Sequence, residues 1–215
     1  MWLARLAQVM HPMNSLATLA QSLGIAYASG ISPYATITLV GLMQRAEWIG
    51  PLPGALGALS NPLVLGVAGL LAVCEFAATL IPGIASAWET AHTAIRPPAA
   101  AGLAVATAWH ADPTLMALAA VLGGGLAFAT HATKLGVRLA VDTSPEPVTN
   151  GAMNVTEIGI IATISYFIWN HPWASLSIAL TLLIGTIFLI RLVWRRVKSA
   201  LGTRLTALGL RREAT

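Results

Sequence analysis

Ionisable and amide side chains recur three or four residues apart in otherwise apolar sequence. The three groups are His131, Lys134 and Arg138; Asn150, Asn154 and Glu157; and Glu89, His92 and Arg96. Residues at this spacing share one face of a helix, so each group would present its polar atoms together. Glu75 stands alone, deep within another apolar segment. Ionisable groups inside a membrane segment cost roughly 2.5–3.5 kcal/mol and therefore face protein or water.

Three acids and three bases on four segments can close into one network, in which Glu75 or Glu157 pairs with Lys134 or Arg138. In a functional interpretation, Glu157 is the titratable carboxylate, and Lys134 or Arg138 binds an anion. In a structural interpretation, the charges only neutralise one another and hold the helices in register. The structural interpretation is favoured for the charges expected near an interface, because long or amphipathic side chains can snorkel there. These are His131, Arg138 and the linker residues Glu89, His92 and Arg96, whose segment is expected to lie along the membrane surface. For Glu75 and Glu157 both interpretations stay open.

A second polar feature interrupts the apolar stretch 14–44 at Ser29-Gly30-Ile31-Ser32-Pro33-Tyr34. Pro33 lacks a backbone donor, so a kink or a true break is expected, and the commoner proline kink is favoured. Transporters place their sites at broken helices, where unpaired backbone groups can bind a substrate. The candidate substrate or ion path therefore comprises Gly30, Ser32, Glu75, Lys134, Arg138, Asn154 and Glu157. The inner linker network comprises Glu89, His92 and Arg96.

The composition is that of an integral membrane protein. Hydrophobic residues make up 56% of the 215 residues and charged residues only 9%, whereas globular proteins carry about 25% charged residues. The mean hydropathy is +0.74. The sequence has too few polar residues to cover the surface of a water-soluble domain, so the lipid bilayer is the first expected partner.

Segments 63–81, 114–139, 153–169 and 173–194 approach the about 20 apolar residues that a membrane span requires. Residues 97–110 form either a thin tilted span or a re-entrant segment. With 14–44 counted as one broken span, the sequence predicts an all-α polytopic bundle of about six spans. Splitting 14–44 into two spans would place the N-terminus outside, and each half is short for that.

The charge distribution predicts the orientation. Seven basic residues follow residue 190, namely Arg191, Arg195, Arg196, Lys198, Arg204, Arg211 and Arg212. By the positive-inside rule this tail is expected in the cytoplasm. An even number of spans, six, then places both termini in the cytoplasm. The expected location is the inner membrane of the cell. The predicted domains are an N-terminal cytoplasmic segment 1–13, a membrane domain 14–194 and a basic tail 195–215. Three helix starts, Asn61-Pro62, Asp112-Pro113 and His171-Pro172, then lie on the outer side.

Motifs for other functions are absent from the sequence. Cys74 is the single cysteine, which excludes an intrachain disulfide. Glu89 and His92 have the spacing of a di-metal motif, but a second such motif is missing, so no metal site is expected. We expect no cofactor, no nucleic-acid partner and, more weakly, no enzymatic activity. The run Gly123-Gly124-Gly125 is expected to allow close helix packing.

Several motifs resemble a bacterial integral-membrane family of unknown function, the domain-of-unknown-function family 4126. They are the Ser29–Tyr34 segment, Glu75-Phe76, Ile81-Pro82-Gly83, Trp88-Glu89, His92-Thr93, Ile95-Arg96-Pro97, Ser144-Pro145-Glu146-Pro147 and Asn150. The resemblance covers roughly residues 14–190. It implies an all-helical membrane protein and no particular activity. The family usually has an acidic pair near Glu157, whereas Ile158 follows Glu157 here, which weakens a two-carboxylate site at that point.

Two hypotheses follow from these observations. The first is a small transporter or channel-like protein, forming an oligomer, with a polar site inside the membrane. The second is a non-catalytic accessory or structural subunit of a larger membrane complex. Hydration distinguishes them, because a transport path must hold water near Glu75 and Glu157, while a structural network should be dry and fully paired.

Overall fold

The computed structural model describes residues 2–141, residues 147–171 and part of the positions between 173 and 195. Within these ranges the chain is helical and contains no strand, which confirms the all-α class. The seven α-helices are α1 (Trp2–Ile31), α2 (Pro33–Arg45), α3 (Pro62–Thr79), α4 (Ile84–His92), α5 (Arg96–Thr107), α6 (Pro113–Val141) and α7 (Pro147–Asn170). The positions described beyond residue 172 are also helical. Apart from Arg195, the predicted tail 195–215 lies outside the described residues.

Three of the described helices are long and apolar enough to cross a membrane. They span Pro62–Thr79, Pro113–Leu139 and Val148–Asn170, close to three of the predicted segments. The long helix α1 begins at Trp2, inside the segment 1–13 that the sequence set apart, because that segment is rich in helix-forming Ala, Leu and Gln.

Two helix starts are capped as the sequence predicts. The Asn61 side chain accepts from the Leu63 amide at 2.9 Å, and Pro62 opens α3. The Asp112 carboxylate accepts from the amides of Thr114 and Leu115 at 3.0 and 3.1 Å. Each cap satisfies backbone donors that a helix start leaves unpaired. The third predicted start involves Pro172, which lies outside the described residues.

The stretch 14–44 forms a helical hairpin and not the single broken span that the sequence favoured. The contacts with α7 show the direction of each helix. Along α1, Gly24 lies against Ile168 and Ile31 packs near Ile161, so α1 runs antiparallel to α7. Helix α2 then runs back along α7, and the carbonyl of Trp48 accepts from Asn170 at 3.5 Å. The reversal is physically possible because Ser32 is extended, with φ −156° and ψ 112°.

Helices α2 and α5 are both half-length. Helix α5 has 12 residues and α2 has 13, which correspond to about 18–20 Å at 1.5 Å per residue. Each starts deep in the bundle and ends where the chain enters α3 and α6. We call that end the loop end; it carries residues 46–61, Trp109–Asp112 and Asn170. The short segment 97–110 is thus a half-length helix and not a full span.

Close helix contacts join α5 to α1 and α6. A side chain at Gly123 would place its Cβ 2.8 Å from the Cβ of Ala104 on α5 and 3.2 Å from that of Ala26 on α1. The expected role of this glycine in close packing is therefore confirmed, whereas Gly125 faces open space. A buried alanine cluster, which includes Ala26, Ala104 and Ala127, fills the contact of α1, α5 and α6.

Candidate functional site

The break between α1 and α2 is the first component of the site. In an unbroken helix the Ile31 carbonyl would accept from the Ala35 amide. Here the Ser32 hydroxyl oxygen accepts from Ala35 at 3.1 Å, and the Lys134 ammonium donates to the Ile31 carbonyl at 2.8 Å. The Ser32 hydroxyl in turn donates to Glu75. The structure therefore has a true break, where a kink was favoured, and charged side chains complete it.

Lys134 is the centre of an ion-pair network. Its ammonium lies 3.3 Å from Glu75, 2.9 Å from Glu89 and 3.0 Å from Glu157. The side chain is only 5% exposed. The predicted pairings of Glu75 and Glu157 with Lys134 are thus present, and Glu89 joins the same cation. One side chain of α6 therefore forms ion pairs with carboxylates on three other helices, α3, α4 and α7.

Arg96, the first residue of α5, connects the linker to this network. Its guanidinium donates to Glu75 at 2.5 Å and also to Glu89. It donates as well to the Nδ1 atom of His131 at 3.0 Å, so His131 accepts there and carries its proton on Nε2. Arg96 and His131 are fully buried. The expectation that the linker charges and His131 snorkel to an interface is therefore wrong.

The linker helix α4 turns its polar face inward. Burial raises the pKa of Glu89, but the nearby Lys134 and Arg96 cations outweigh burial, so the pKa of Glu89 lies below its usual value. His92 accepts from Tyr34 on α2 at 3.3 Å and donates to the Trp88 carbonyl at 2.8 Å. Glu89 thus belongs to the ion-pair network, and His92 connects α4 to α2. In the described ranges no group of three His, Cys, Asp or Glu side chains could hold a metal ion.

Arg138 extends the network toward α7. Its guanidinium donates to Glu157 at 2.9 Å, to Asn154, and to the Thr79 carbonyl at 3.4 Å. Asn154 also donates to the Phe76 carbonyl at 3.0 Å, which ties α7 to the end of α3. Arg138 is fully buried, although the sequence favoured an interfacial position.

We call the resulting set the charge cluster. It comprises Glu75, Glu89, Glu157, Arg96, Lys134 and Arg138. Three negative and three positive groups balance, which is the condition under which charges are tolerated away from water. The cluster lies about 20 Å from the loop end, since Glu75 follows Pro62 by 13 residues at 1.5 Å each. Both half-length helices contact Glu75 at their starts, through the Ser32 hydroxyl that caps α2 and the Arg96 guanidinium at the first residue of α5.

A cleft opens beside the cluster. Its volume is about 50 Å³, and its polar lining consists of Ser32, Glu75, Thr79, Asn154 and Glu157. Glu157 is 15% exposed and Glu75 7% exposed, whereas the three cations lie behind them. One water needs roughly 10–15 Å³ of such space, so the cleft takes a few waters or one small ion.

The predicted site residues are largely brought together, with two differences. Gly30 contributes no polar group and instead allows α1 to touch α6, because a Cβ there would lie 2.7 Å from the Ala127 carbonyl oxygen. Of the linker network, Glu89 and Arg96 join the charge cluster, as the single-network interpretation allowed, whereas His92 contacts Tyr34 and the Trp88 carbonyl. Sequence reasoning missed Thr79, which lies one helical turn after Glu75 and whose hydroxyl donates to Asn154 at 3.1 Å. It named Tyr34 within the broken segment but gave no role to its contact with His92.

The fold and the site together indicate the class of protein. Three apolar helices of membrane-spanning length indicate an integral membrane protein, and a buried, balanced charge cluster lies among them. Residues 19–192 match the family described as Domain of unknown function (DUF4126), and the chain belongs to this family. No curated protein and no solved structure matches the chain.

Proposed function

We propose that the protein is a small transporter or channel-like membrane protein whose polar site is the charge cluster and its cleft. The observation that carries the proposal is the meeting of two half-length helices at Glu75, beside a cleft lined by two carboxylates. Transporters place ion and substrate sites where helices break inside the membrane. Here Ser32 and Lys134 satisfy the backbone at the break, and Glu75 and Glu157 supply the polar atoms that line the cleft. Glu157 is the member of the cluster most open to an incoming ion.

We further propose an orientation that differs from the sequence-based expectation. The basic residues from Arg191 onward favour a cytoplasmic tail. A last span from the loop end to that tail places the charge cluster on the cytoplasmic half and the loop end outside. Because α1 and α2 form a hairpin, Ser15 then lies on the outer side, opposite the tail, and the two termini are on different sides.

Neutralising Glu157 is expected to stop transport and leave the fold intact. In Glu157→Gln the amide can still accept from Lys134 or Arg138, but it can neither titrate nor attract a cation. The measurement is the flux of protons, Na⁺, K⁺ and small neutral solutes into liposomes that hold purified protein. At least one flux should exceed that of empty liposomes for the wild type and return to that level for the variant.

A matched control for this test is Glu47→Gln. Glu47 is exposed at the loop end, away from the charge cluster, so this variant should keep wild-type flux. Both variants should elute as monodisperse protein at the wild-type volume. Equal flux for wild type and Glu157→Gln would refute the assignment of the cleft as the transport site.

One observation favours the second candidate, an accessory or structural subunit. The charge cluster is neutral and each of its six groups has an oppositely charged partner, as expected of a network that only holds helices together. Native mass in a mild detergent separates the candidates. A homo-oligomer that runs alone favours transport, and stoichiometric co-migration with a larger complex favours the accessory role.

A further inference from the structure

The charge cluster is already neutral, which limits what the cleft can bind. Its three carboxylates face three cations, and every member has an oppositely charged partner. A metal cation, a bound proton or an anion would each leave one charge uncompensated in a site away from water, which is strongly unfavourable. A neutral ligand adds no charge. The charge balance therefore favours a neutral molecule in the cleft.

The two carboxylates of the cleft retain capacity to accept hydrogen bonds. A carboxylate offers about four acceptor positions on its two oxygens. Glu75 accepts from three side chains, one each on α2, α5 and α6, which leaves about one position. Glu157 pairs with Lys134 at 3.0 Å and with Arg138 at 2.9 Å, which leaves about two positions. Polar atoms away from bulk water require partners, so these oxygens favour a ligand that donates hydrogen bonds.

The donors that line the cleft are largely committed to the protein itself. The Ser32 hydroxyl donates to Glu75. The Thr79 hydroxyl lies 2.7 Å from the Glu75 carbonyl and 3.1 Å from Asn154. The Asn154 amide donates to the Phe76 carbonyl at 3.0 Å, and its second N–H group can donate to a ligand. A ligand that carries N–H donors together with one carbonyl acceptor matches this set of groups.

The size of the cleft sets an upper limit on the ligand. The volume of about 50 Å³ corresponds to about three to five waters, at roughly 10–15 Å³ for each. The rest of the lining is apolar and comprises Ala35, Ala72, Phe76, Ile158 and Ile161. A planar molecule of about four non-hydrogen atoms therefore fits between the polar and the apolar walls.

We propose that the cleft binds a small neutral amide, of which acetamide and urea are the simplest examples. The proposal rests on the transport function proposed above and names the class of molecule carried. The N–H groups of the amide donate to the free acceptor positions of Glu75 and Glu157, and its carbonyl accepts from Asn154. The cluster keeps its charge balance, and the amide replaces the waters that otherwise occupy the cleft.

Saturation-transfer NMR tests the ligand class, because it detects the methyl protons of small molecules that bind weakly. The protein is placed in lipid nanodiscs, and three probes of nearly the same shape are compared, namely acetamide, acetamidinium and acetone. Acetamide is neutral and donates hydrogen bonds, acetamidinium donates but is positively charged, and acetone is neutral but cannot donate. Acetamide should give a signal above that of empty nanodiscs, and the other two probes should not. Excess urea should suppress the acetamide signal.

Filling the cleft should abolish this signal. Ala72→Leu extends a half-buried side chain that lines the cleft and leaves every charged group in place. The matched control is Ala77→Leu, at an exposed position of the same helix, which should keep the wild-type signal. Glu157→Gln exchanges acceptor positions for N–H donors and should also lose the signal. It decides the test if Ala72→Leu does not elute at the wild-type volume.

The comparison of the probes decides the ligand class. An acetamide signal that these variants abolish, with acetamidinium and acetone at the level of empty nanodiscs, supports the inference. A signal from acetamidinium as strong as that of acetamide shows that the cleft accepts cations, and an equal signal from acetone shows that donation is not required. Either result overturns the inference. It is also overturned if acetamide gives no signal, or a signal that neither variant changes.

Uptake into liposomes separates failure of this inference from failure of the transport function. Labelled urea should enter liposomes with wild-type protein faster than empty liposomes or liposomes with Ala72→Leu. Flux of an ion that Glu157→Gln abolishes, without acetamide binding, overturns the amide and keeps the transport site. Acetamide binding without flux of any solute keeps the amide as the ligand of the cleft and overturns the transport function.

Discussion

Replacing Lys134 by methionine is expected to lower the free energy of unfolding by about 3–5 kcal/mol, the cost of removing one partner from a buried ion pair. The reason is that Lys134 contacts Glu75, Glu89 and Glu157 and also satisfies the Ile31 carbonyl. Methionine fills a similar volume but leaves three carboxylates with two cations. The measurement is the thermal transition of the protein in mild detergent and its yield from membranes.

Two further variants test this explanation. Arg45→Met removes an exposed cation that donates to the Ser60 carbonyl at the loop end, and it should change stability little. Adding Glu89→Gln to Lys134→Met restores the charge balance and should recover part of the lost stability. A Lys134→Met protein as stable as wild type would show that the ion pairs seen around Lys134 contribute nothing to folding.

Replacing Gly54 by alanine is expected to be the most damaging glycine-to-alanine change among the described glycines. Gly54 has φ +60°, and a Cβ there would lie 2.2 Å from the Ala106 carbonyl oxygen. That oxygen accepts from the Ala55 amide at 2.8 Å and so fixes the end of α5. The left-handed backbone costs about 1–2 kcal/mol and the clash about 1–3 kcal/mol, which together give roughly 2–5 kcal/mol.

Two other glycines separate the backbone strain from the clash. Gly83 has φ +81° with no atom near its Cβ position, so Gly83→Ala should cost only the strain, about 1–2 kcal/mol. Gly57 has open space and no positive φ, so Gly57→Ala should stay within about 0.5 kcal/mol of wild type. Thermal unfolding of the three variants should rank Gly54 as the worst and Gly57 as the mildest. Equal effects at Gly54 and Gly83 would show that the loop around Gly54 shifts to relieve the clash, and that its contact with the Ala106 carbonyl does not fix the end of α5.

The sequence predicted the features that depend on neighbouring residues. Apolar length located the three spans, and a polar residue before proline located the caps at Asn61 and Asp112. Helical spacing grouped His131, Lys134 and Arg138 on one face, and charge complementarity then gave two of the three carboxylates that contact Lys134, Glu75 and Glu157 but not Glu89. Each of these inferences needs only one helix and the requirement that buried charges be paired.

The features it missed depend on contacts between distant segments. Pro33 predicts a break in the helix but not the direction in which the chain continues. The reversal depends on Lys134, about a hundred residues later, because its ammonium satisfies the Ile31 carbonyl. In the same way, the polar face of α4 could rest on the membrane surface or turn inward. Its inward direction is set by Arg96, which bridges Glu89 to Glu75.

The central claim is that the cleft beside Glu75 and Glu157 is hydrated, and hydroxyl-radical footprinting in native membranes tests it most directly. Phe76 lines the cleft, whereas Phe128 is 53% exposed on the surface of α6 and would face lipid. Radicals form from water, so a hydrated cleft predicts that Phe76 is oxidised while Phe128 is protected. If Phe76 is as protected as Phe128, the cluster is a dry structural network and the transport function is contradicted.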